Sequence, residues 1–523
     1  MNKKYIIMTA LAAMALVSCD MDKEPYNSLP DSEALQTPRN FQSAAVGLYS
    51  GLRSSIMGTF YNAPEIQCDG FHAVTGFSNT YGDMYRWTFD SQTTSFETVY
   101  ANYEAVISRA NYIIDGYNGL MADGSFDNKN VFPDRATSNN PGMPGVRKAK
   151  GEAFFSRAYC LFGLAQYFCA AYDPATAENE NTGVSYTLTY APSSDHSTYP
   201  GRTTLAKTYK QIYDDLDSAA LYITTAGQAN NDYISVDAIT ALRARVALAK
   251  GDYDLALEEA ELLINSGTYT LASSVEQLAY LWQTSATWNN GGGGNETIFL
   301  LCTASSSELP AATGTIYLPY SAGSSPDYIP TQTLVDLFSE NDYRKPVYFT
   351  NVDIVTSTGG VGTVLALNKY MDKGVLYQAT GYSESARFCI EPRVFRIAEM
   401  YLIAAEAYAQ TGDLTSAGAY LNYLQQRRIE GFARRTYTDL DTFMAELMKE
   451  RQRELLAEGS RLFDIKRWHI AMNRGDAQQR DLCLLPGSGT TDMSVPADDN
   501  RLTWPIPKHE MDVNPNMKQN PGY

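Results

Sequence analysis

The amino-acid sequence predicts a mainly α-helical fold: a scaffold of tetratricopeptide-like helical hairpins, or α-α superhelix, with an inserted region of mixed strands and loops. Three observations predict it. Apolar residues recur at three- and four-residue spacing over long segments. Gly-Asp pairs at 251–252 and 412–413 join such segments in two places. Across about 280–390 the periodicity fails, and glycine, serine and β-branched residues accumulate.

The extreme N-terminus predicts export and a lipid anchor. Lys3 and Lys4 precede an apolar stretch at 5–17 that is too short to cross the ~30 Å core of a bilayer. Residues 16–19 read Leu-Val-Ser-Cys, which resembles a bacterial lipobox in which Cys19 carries the lipid. An ordinary secretory signal followed by a chance cysteine is the alternative. No later segment approaches ~20 unbroken apolar residues.

The pattern divides the chain into four regions. They are a lipoprotein signal peptide at 1–18, a lipid-anchored tether at 19–40, an N-terminal helical region at 41–275 and a C-terminal region at 276–523. The N-terminal region contains an aromatic loop at 60–95, and the C-terminal region contains the mixed insert at 280–390. Loops this long are usually functional or disordered, and the aromatic content of 60–95 argues against disorder.

Helical periodicity predicts six long segments. They are 41–52, 96–117, 147–172, 205–226, 236–266 and about 440–468. In each Gly-Asp pair, glycine is expected to take a positive-φ turn and aspartate to cap the next helix. Ala256 and Ala417 follow four residues after the two aspartates and would let the paired helices pack closely. Such hairpins stack into a rigid superhelical scaffold.

Charge and cysteine content narrow the function classes. The formal net charge is −18, from 59 acidic and 41 basic residues, and removal of Lys3 and Lys4 with the signal peptide makes it two units more negative. Such a surface repels nucleic acid and acidic lipid head groups. The six cysteines after Cys19 are scattered without a CxxC pair, so Cys160 and Cys169 are interpreted as buried apolar residues, although an exported chain is compatible with an occasional disulfide.

Aromatic residues are unusually frequent: the chain has 37 tyrosines, and Phe, Trp and Tyr together make up 12%. Tyrosine combines an apolar ring with a polar hydroxyl and therefore suits wet surfaces that hold a partly apolar ligand, such as a sugar ring. Packing between helices is the alternative use for these rings.

Six matches in chain order resemble the SusD/RagB family. They are Tyr103–Ile114, Gly151–Tyr159, Gly201–Thr204 with Tyr213–Asp217, Arg396–Glu406, Glu450–Trp468, and Trp504–Pro507 with Asn514–Asn516 and Gln519–Tyr523. On these residues the chain is identified as a member of that family, the surface lipoproteins through which Bacteroidetes capture nutrients, mostly glycans. Ser460 departs from the expected pattern after Gly459, which bears on packing only.

The resemblance implies a SusD-like fold and a binding function in nutrient uptake and polysaccharide utilization. The protein would sit on the outer face of the outer membrane, hold an oligosaccharide or polysaccharide, and deliver it to a TonB-dependent, SusC-like transporter. A helical face would contact the transporter barrel. No catalytic residue, cofactor, metal ligand or nucleic-acid partner is expected. A peptide cargo is an alternative, because some relatives serve peptides.

By analogy with the family, the glycan-binding residues should lie in the loops near 60–95 and 280–330. The candidates are Phe77, Tyr81 and Trp87 with Asn79 and Asp83 as polar partners, and Trp288, Trp282 and Tyr320. Trp288 is the strongest of them, because a tryptophan in a Gly/Asn-rich loop has few packing reasons to be there. For Trp87, just ahead of a helix, packing is the favoured alternative.

The charged residues of 450–467 invite a catalytic interpretation. Their three- and four-residue spacing instead predicts ion pairs along a helix, and paired carboxylates are poor general acids. Trp504, directly ahead of Pro505 in the closing segment, is expected to be a core anchor. The sequence has no GxSxG, P-loop or HExxH motif, and its four histidines are dispersed. A glycoside hydrolase and a pure protein–protein scaffold are the alternatives to a binding protein.

Overall fold

The structure is a computed structural model that describes residues 34–56, 58–283, 295–301, 326–370, 393–485 and 494–523. It is predominantly helical, as predicted. The helices of the first half are α1 (Pro38–Ser54), α2 (Thr59–Gln67), α3 (Gly82–Arg86), α4 (Thr94–Ala122), α5 (Gly142–Phe168), α6 (Leu205–Tyr222), α7 (Val236–Lys250), α8 (Tyr253–Asn265) and α9 (Val275–Gln283).

The remaining helices are α10 (Gln332–Val335), α11 (Lys345–Tyr348), α12 (Ile397–Gln410), α13 (Leu414–Arg428), α14 (Leu440–Glu454), α15 (Arg461–Arg467) and α16 (Lys508–Val513). The strands are β1 (Phe71–Ala73), β2 (Thr297–Leu300), β3 (Tyr328–Pro330), β4 (Phe349–Val355), β5 (Val361–Leu367), β6 (Arg393–Arg396), β7 (Met472–Asn473) and β8 (Ser494–Val495). Within the described residues they form four two-stranded antiparallel sheets, β1–β3, β2–β6, β4–β5 and β7–β8. No described helix is long and apolar enough to cross a bilayer.

The helices pack mainly as neighbours in sequence. Helix α5 lies between α4 and α6, and α1 covers α4 and α5. The hairpin α7–α8 packs through α8 onto α12, the first helix of the hairpin α12–α13. The hydrophobic face of α4 buries aromatic and aliphatic side chains in turn, among them Phe96, Tyr103 and Ile107. This packing buries apolar area, the main driving force for such a bundle.

Both predicted hairpin turns are present. Gly251 has φ 77° and Gly412 has φ 93°, the left-handed region that favours glycine. Asp413 caps its helix by accepting a hydrogen bond from the Ser416 backbone N–H at 3.0 Å. The predicted cap by Asp252 is wrong, because its side chain makes no capping hydrogen bond.

Two expectations about local structure are wrong. The region 60–95 contains α2, β1 and α3, because its apolar side chains, such as Phe60 and Phe71, are buried in the core. The long helix expected to run to about 468 is divided into α14 and α15. Between them Ala457 and Gly459 have positive φ values of 60° and 77°, which an α-helix does not allow.

The cysteines behave as predicted for small apolar residues. Four of them, Cys68, Cys160, Cys169 and Cys483, are buried free thiols. Burial raises the pKa of the Cys160 thiol well above its ordinary value. A buried thiol of raised pKa is a poor nucleophile and serves as packing material.

The charged segment 450–467 is structural, as predicted, but most of its partners are not on the same helix. The Glu454 carboxylate accepts hydrogen bonds from Arg344 at 3.0 Å, from Arg396 at 2.8 Å and from Arg428 at 2.8 Å. All four side chains are at most 1% exposed. These arginines come from three different segments, so Glu454 joins parts of the chain that are far apart in sequence.

Pairs along the helix are the minority. The Arg453 guanidinium pairs with Glu450 at a spacing of three residues, and Arg467 pairs with Asp464 in the same way. The arginines around Glu450 hold the pKa of its carboxyl at about 2, against the desolvation that would raise it. Helix spacing alone therefore predicted ion pairs here but not the cross-element partners.

Glu65 provides a test of buried charge. Its side chain is 4% exposed, and desolvation raises its pKa to about 7, although the Gly459 backbone N–H donates to Oε1 at 3.0 Å. A carboxyl whose pKa is raised by folding stabilises the fold below its unfolded pKa and loses that contribution as pH rises through 7. Glu65→Gln keeps the acceptor and removes the titration.

We expect Glu65→Gln to gain about 2 kcal/mol of unfolding free energy relative to the wild type when the pH is raised from 5 to 8. Urea denaturation at the two pH values measures it. Glu340→Gln, at a side chain 89% exposed, is the control and should show no such gain. If the free energies of unfolding of Glu65→Gln and the wild type differ by the same amount at both pH values, the pKa of Glu65 is not raised by folding.

Candidate functional site

A surface loop between β1 and α3 carries three of the predicted binding residues, Phe77, Asn79 and Tyr81, and Asp83 follows in the first turn of α3. Strand β1 pairs with β3 so that Ala73 lies opposite Tyr328, and the loop that follows therefore lies beside residues 326–328. Three residues in or next to it have positive φ without being glycine: Asn79 at 67°, Tyr81 at 57° and Trp87 at 57°. For bulky residues such values are strained and are found where surrounding contacts fix the backbone.

Hydrogen bonds from β3 and its flank fix this loop. The Ser78 backbone N–H donates to Asp327 Oδ1 at 2.7 Å, and the Ser78 hydroxyl donates to the same carboxylate. The Tyr328 hydroxyl donates to the Thr80 carbonyl at 2.7 Å. The loop is thus held to β3 at both ends of the segment 78–80.

Arg86 supports the loop from α3. Its Nη2 donates to Asn79 Oδ1 at 2.6 Å, and its guanidinium carbon lies 5.3 Å from the centroid of the Phe77 ring. A Cβ at position 82 would stand 2.1 Å from Asn79 Oδ1, so only glycine fits beneath this hydrogen bond. Asn79 is therefore held in one orientation before any ligand arrives.

The two aromatic candidates of the loop are half-buried. The Phe77 ring packs edge-on against Tyr328, with centroids 5.5 Å apart. The Tyr81 hydroxyl shares a 3.0 Å hydrogen bond with Thr59, and burial raises the pKa of Tyr81. Each ring is anchored in the core and has a remaining edge accessible to solvent.

The two polar candidates are exposed. Asn79 Nδ2 and the Asp83 carboxylate form no hydrogen bond or ion pair with any residue that the structure describes. An amide group can donate to two hydroxyls and a carboxylate can accept from two. Together with the exposed Ser78 and Thr80, they form what we call the polar loop (residues 77–83).

The tip of the β4–β5 hairpin lies against the base of the polar loop. Thr358 Oγ1 donates to Thr75 Oγ1 at 2.9 Å, and the Ser357 hydroxyl donates to the Gly76 carbonyl. At the same end of the hairpin, Val355 and Val361 pair across the strands and are 44% and 71% exposed. Sequence reasoning did not select this hairpin, although its Thr-Ser-Thr-Gly-Gly turn is visible as a turn signal.

Two of the predicted platform residues are corrected by the structure. Trp87 and Trp282 are each 1% exposed, so neither offers a ring face to a ligand. The Trp87 indole N–H donates to the Gln67 carbonyl at 2.9 Å. The Trp282 ring lies under the ammonium of Lys369 at 4.1 Å and the guanidinium of Arg396 at 4.8 Å, inside the buried charge network.

The other predictions lie outside the described residues. Trp288, Tyr320 and Cys19 fall in segments that the structure does not describe. Their assignment as binding and lipidation residues therefore stays a prediction of the sequence. Sequence reasoning also missed Ser78 and Asp327, whose contact joins distant segments, and Arg86, whose contact with Asn79 depends on how the loop folds back on α3.

Nothing in the described ranges groups three or more His, Cys, Asp or Glu side chains in a way that could hold a metal ion. His72 is buried, with Nε2 2.8 Å from the Gly475 carbonyl oxygen, and desolvation lowers its pKa to about 4. A neutral, buried imidazole between backbone and Tyr85 packs and orients this part of the core.

The fold and the site together define a class of protein: a helical-hairpin scaffold that presents a fixed polar loop beside anchored aromatic rings. Two family models match the sequence. The one described as "SusD family" matches residues 357–523, and the one described as "Starch-binding associating with outer membrane" matches residues 21–248. The chain belongs to the SusD family.

Solved structures share the fold along nearly the whole chain. A SusD superfamily protein from Bacteroides thetaiotaomicron is similar with a TM-score of 0.73 and 24% identity, over 93% of this chain and 100% of that one. A SusD superfamily protein from Bacteroides vulgatus gives 0.72 and 22%, over 93% and 99%. A SusD-like carbohydrate binding protein from the same species gives 0.69 and 16%, over 92% and 97%. No curated protein matches the sequence.

Proposed function

We propose that this protein is a non-catalytic glycan-binding lipoprotein of the outer membrane surface, and that the polar loop contacts the glycan. The observation that carries the proposal is the pre-formed edge at Asn79 and Asp83. These side chains are exposed and have hydrogen-bonding groups without a partner among the described residues, and the backbone that holds them is fixed by β3 and Arg86.

The chemistry of a sugar suits this edge. A pyranose ring has an apolar C–H face and a rim of hydroxyls, so it can lie on an aromatic edge while the amide and carboxylate hydrogen-bond the rim. Each hydrogen bond is worth about 1 kcal/mol net, and the fixed loop avoids the entropy cost of ordering a flexible one. A few such contacts give binding between about 1 μM and 1 mM, weak enough to release cargo.

Family descriptions support the same function. One matching family model is described as starch-binding and associated with the outer membrane, and one similar structure is described as a carbohydrate binding protein. A lipid on Cys19 would provide the attachment. The partner that receives the glycan is proposed to be a TonB-dependent, SusC-like transporter, contacted by the helical hairpins.

Affinity electrophoresis tests the proposal. We expect starch, or another polysaccharide of a panel, to retard the purified protein without release of new reducing ends. Asn79→Ala/Asp83→Ala should weaken binding about tenfold, because two hydrogen-bonding groups are lost. The matched control is Asn130→Ala/Asp134→Ala, which removes the same exposed side-chain types in the connection between α4 and α5 and should bind as the wild type does.

Each outcome decides between the candidate functions. Retardation that Asn79→Ala/Asp83→Ala leaves unchanged would contradict a role of the polar loop, and a loss with Trp288→Ala would assign the site to the sequence-predicted platform instead. New reducing ends would show a glycoside hydrolase. If no glycan retards the protein or is hydrolysed, but a peptide retards it, the protein binds peptides.

A further inference from the structure

A cleft of about 120 Å³ lies inside the helical scaffold, and no residue of the polar loop lines it. Helices α2, α5, α7 and α15 contribute to its walls. Tyr61, Tyr159, Gln166 and Phe463 line it and are half-buried, so the cleft is open to solvent at these side chains. Its size is close to that of an engineered cavity of about 150 Å³ that admits a single benzene ring.

Several hydrogen-bonding groups line this cleft without a partner. The hydroxyls of Tyr61, Tyr103 and Tyr159 form no hydrogen bond with any described residue, although burial raises the pKa of all three, that of Tyr159 to about 12. The Gln166 side-chain amide and the Ser460 hydroxyl likewise have no partner in the described part of the chain. Phenol hydroxyls at a cleft wall are ready hydrogen-bond donors and acceptors, so this concentration of open groups suits a polar ligand.

The phenol of Tyr167 shows the contrast. It lines the same cleft, and its hydroxyl donates to the Phe60 carbonyl at 2.6 Å. Its ring also packs edge-on against Phe463 with centroids 4.8 Å apart. The hydroxyl of Tyr167 therefore has a hydrogen-bond partner within the protein. The hydroxyls of Tyr61, Tyr103 and Tyr159 differ from it, because they line the same cleft without one among the described residues.

Two acidic side chains that line the cleft, Glu399 and Glu458, are paired with cationic groups within the protein. Arg245 forms a two-point contact with Glu399, at 2.7 and 2.6 Å. The Glu458 carboxylate pairs with Lys369 and Arg396, at 2.7 and 2.6 Å. Because these groups are already paired, a charged ligand that contacted them would have to displace a partner and would also be desolvated. A neutral ligand carries no such cost.

We propose that this cleft binds a neutral, polyhydroxylated single-ring compound of monosaccharide size. Phe60, Phe162 and Phe463 offer apolar ring surface for its C–H groups. Three phenol hydroxyls, one amide and one serine hydroxyl match its own hydroxyls in number and in the ability to donate and accept. The site shares no residue with the polar loop, so it does not depend on the function proposed for that loop.

Saturation-transfer difference NMR tests the site with D-glucose, D-galactose, D-mannose and D-xylose as probes. The experiment uses the Asn79→Ala/Asp83→Ala protein, so that sugar bound at the polar loop does not obscure the result. We expect saturation transfer to at least one probe, and an affinity about tenfold weaker after adding Tyr61→Phe and Tyr159→Phe, since two hydrogen bonds are lost. Both substitutions keep the rings, so the melting temperature should not fall.

The outcomes separate the possibilities. No transfer to any probe would overturn the proposal and leave a cleft that holds water only. An affinity that both phenylalanine substitutions leave unchanged would overturn it as well, because the sugar then binds elsewhere. Gln166→Ala provides a second variant. It removes a side-chain amide instead of a phenol hydroxyl and should also weaken binding of the sugar measured by saturation transfer.

Discussion

Glu454→Ala is expected to lower the free energy of unfolding by about 3–5 kcal/mol at pH 7, a large fraction of the stability of a typical domain. The substitution leaves the guanidinium groups of Arg344, Arg396 and Arg428 without the carboxylate that joins them. All three are at most 1% exposed, so water does not replace the lost partner. Removing one partner of a buried ion network costs far more than removing an exposed one.

Urea denaturation of the variant and the wild type measures this loss. The control is Asp512→Ala, which breaks the exposed pair with Lys508, whose side chains are 52% and 57% exposed, and should change the free energy by less than about 1 kcal/mol. A Glu454→Ala loss as small as that of Asp512→Ala would show that the network does not stabilise the fold. Glu454→Gln should fall between the two, because it keeps the shape and one acceptor.

The same network gives a pH dependence with a definite sign. The arginines hold the pKa of Glu454 well below its ordinary value, so its contribution is present above about pH 4.5 and is lost as the pH falls through the lowered pKa. The acid loss of stability should therefore be shallower in Glu454→Ala than in the wild type.

Trp504→Ala should lower the free energy of unfolding by about 3–5 kcal/mol, the range for truncating a fully buried tryptophan. Trp504 is 0% exposed, its ring centroid lies 4.5 Å from that of Tyr167, and its indole N–H donates to Gln67 Oε1 at 2.7 Å. The truncation opens a cavity and leaves a buried amide oxygen without its donor. The closing segment of the chain then loses its main contact with α2 and α5.

Thermal and urea unfolding of Trp504→Ala and Trp504→Phe compare the loss of the whole ring with the loss of the indole hydrogen bond and part of the ring volume. Trp504→Phe retains part of the ring volume and loses the hydrogen bond, so its loss should be smaller. Leu221→Ala, at a side chain 76% exposed, is the control and should change stability by about 0.5 kcal/mol or less. If Trp504→Ala behaves like Leu221→Ala, the expected core role is wrong.

The sequence predicted part of the candidate site for a physical reason. Asn79 lies in a Gly-containing loop and Asp83 in the first turn of the short helix α3, and short polar side chains at such surface positions are usually exposed, as they are here. Trp87 lies in the same stretch and is buried. Nothing local distinguishes it from an exposed ring, because its burial depends on Gln67 and Arg501, the latter more than four hundred residues away.

The family membership of the chain and the sugar-binding proposal have different foundations. Motifs spread from Tyr103 to Tyr523 identify the family because they are short, local and in order. The binding function of this chain depends on which groups remain without partners on its surface and in its cleft. Whether a group has a partner depends on all the contacts of the folded chain. The binding function is therefore a proposal, which the variants at Asn79 and Tyr61 test.

By itself the sequence determined the helical class and the glycine turns at 251 and 412, since helix period and turn chemistry are local properties. Only the tertiary structure decided that Trp282 is buried beneath Lys369, that Glu454 pairs across the fold, and that Tyr61 faces a cleft. Burial and long-range pairing arise when distant segments meet, and that meeting leaves no periodic signal in the sequence.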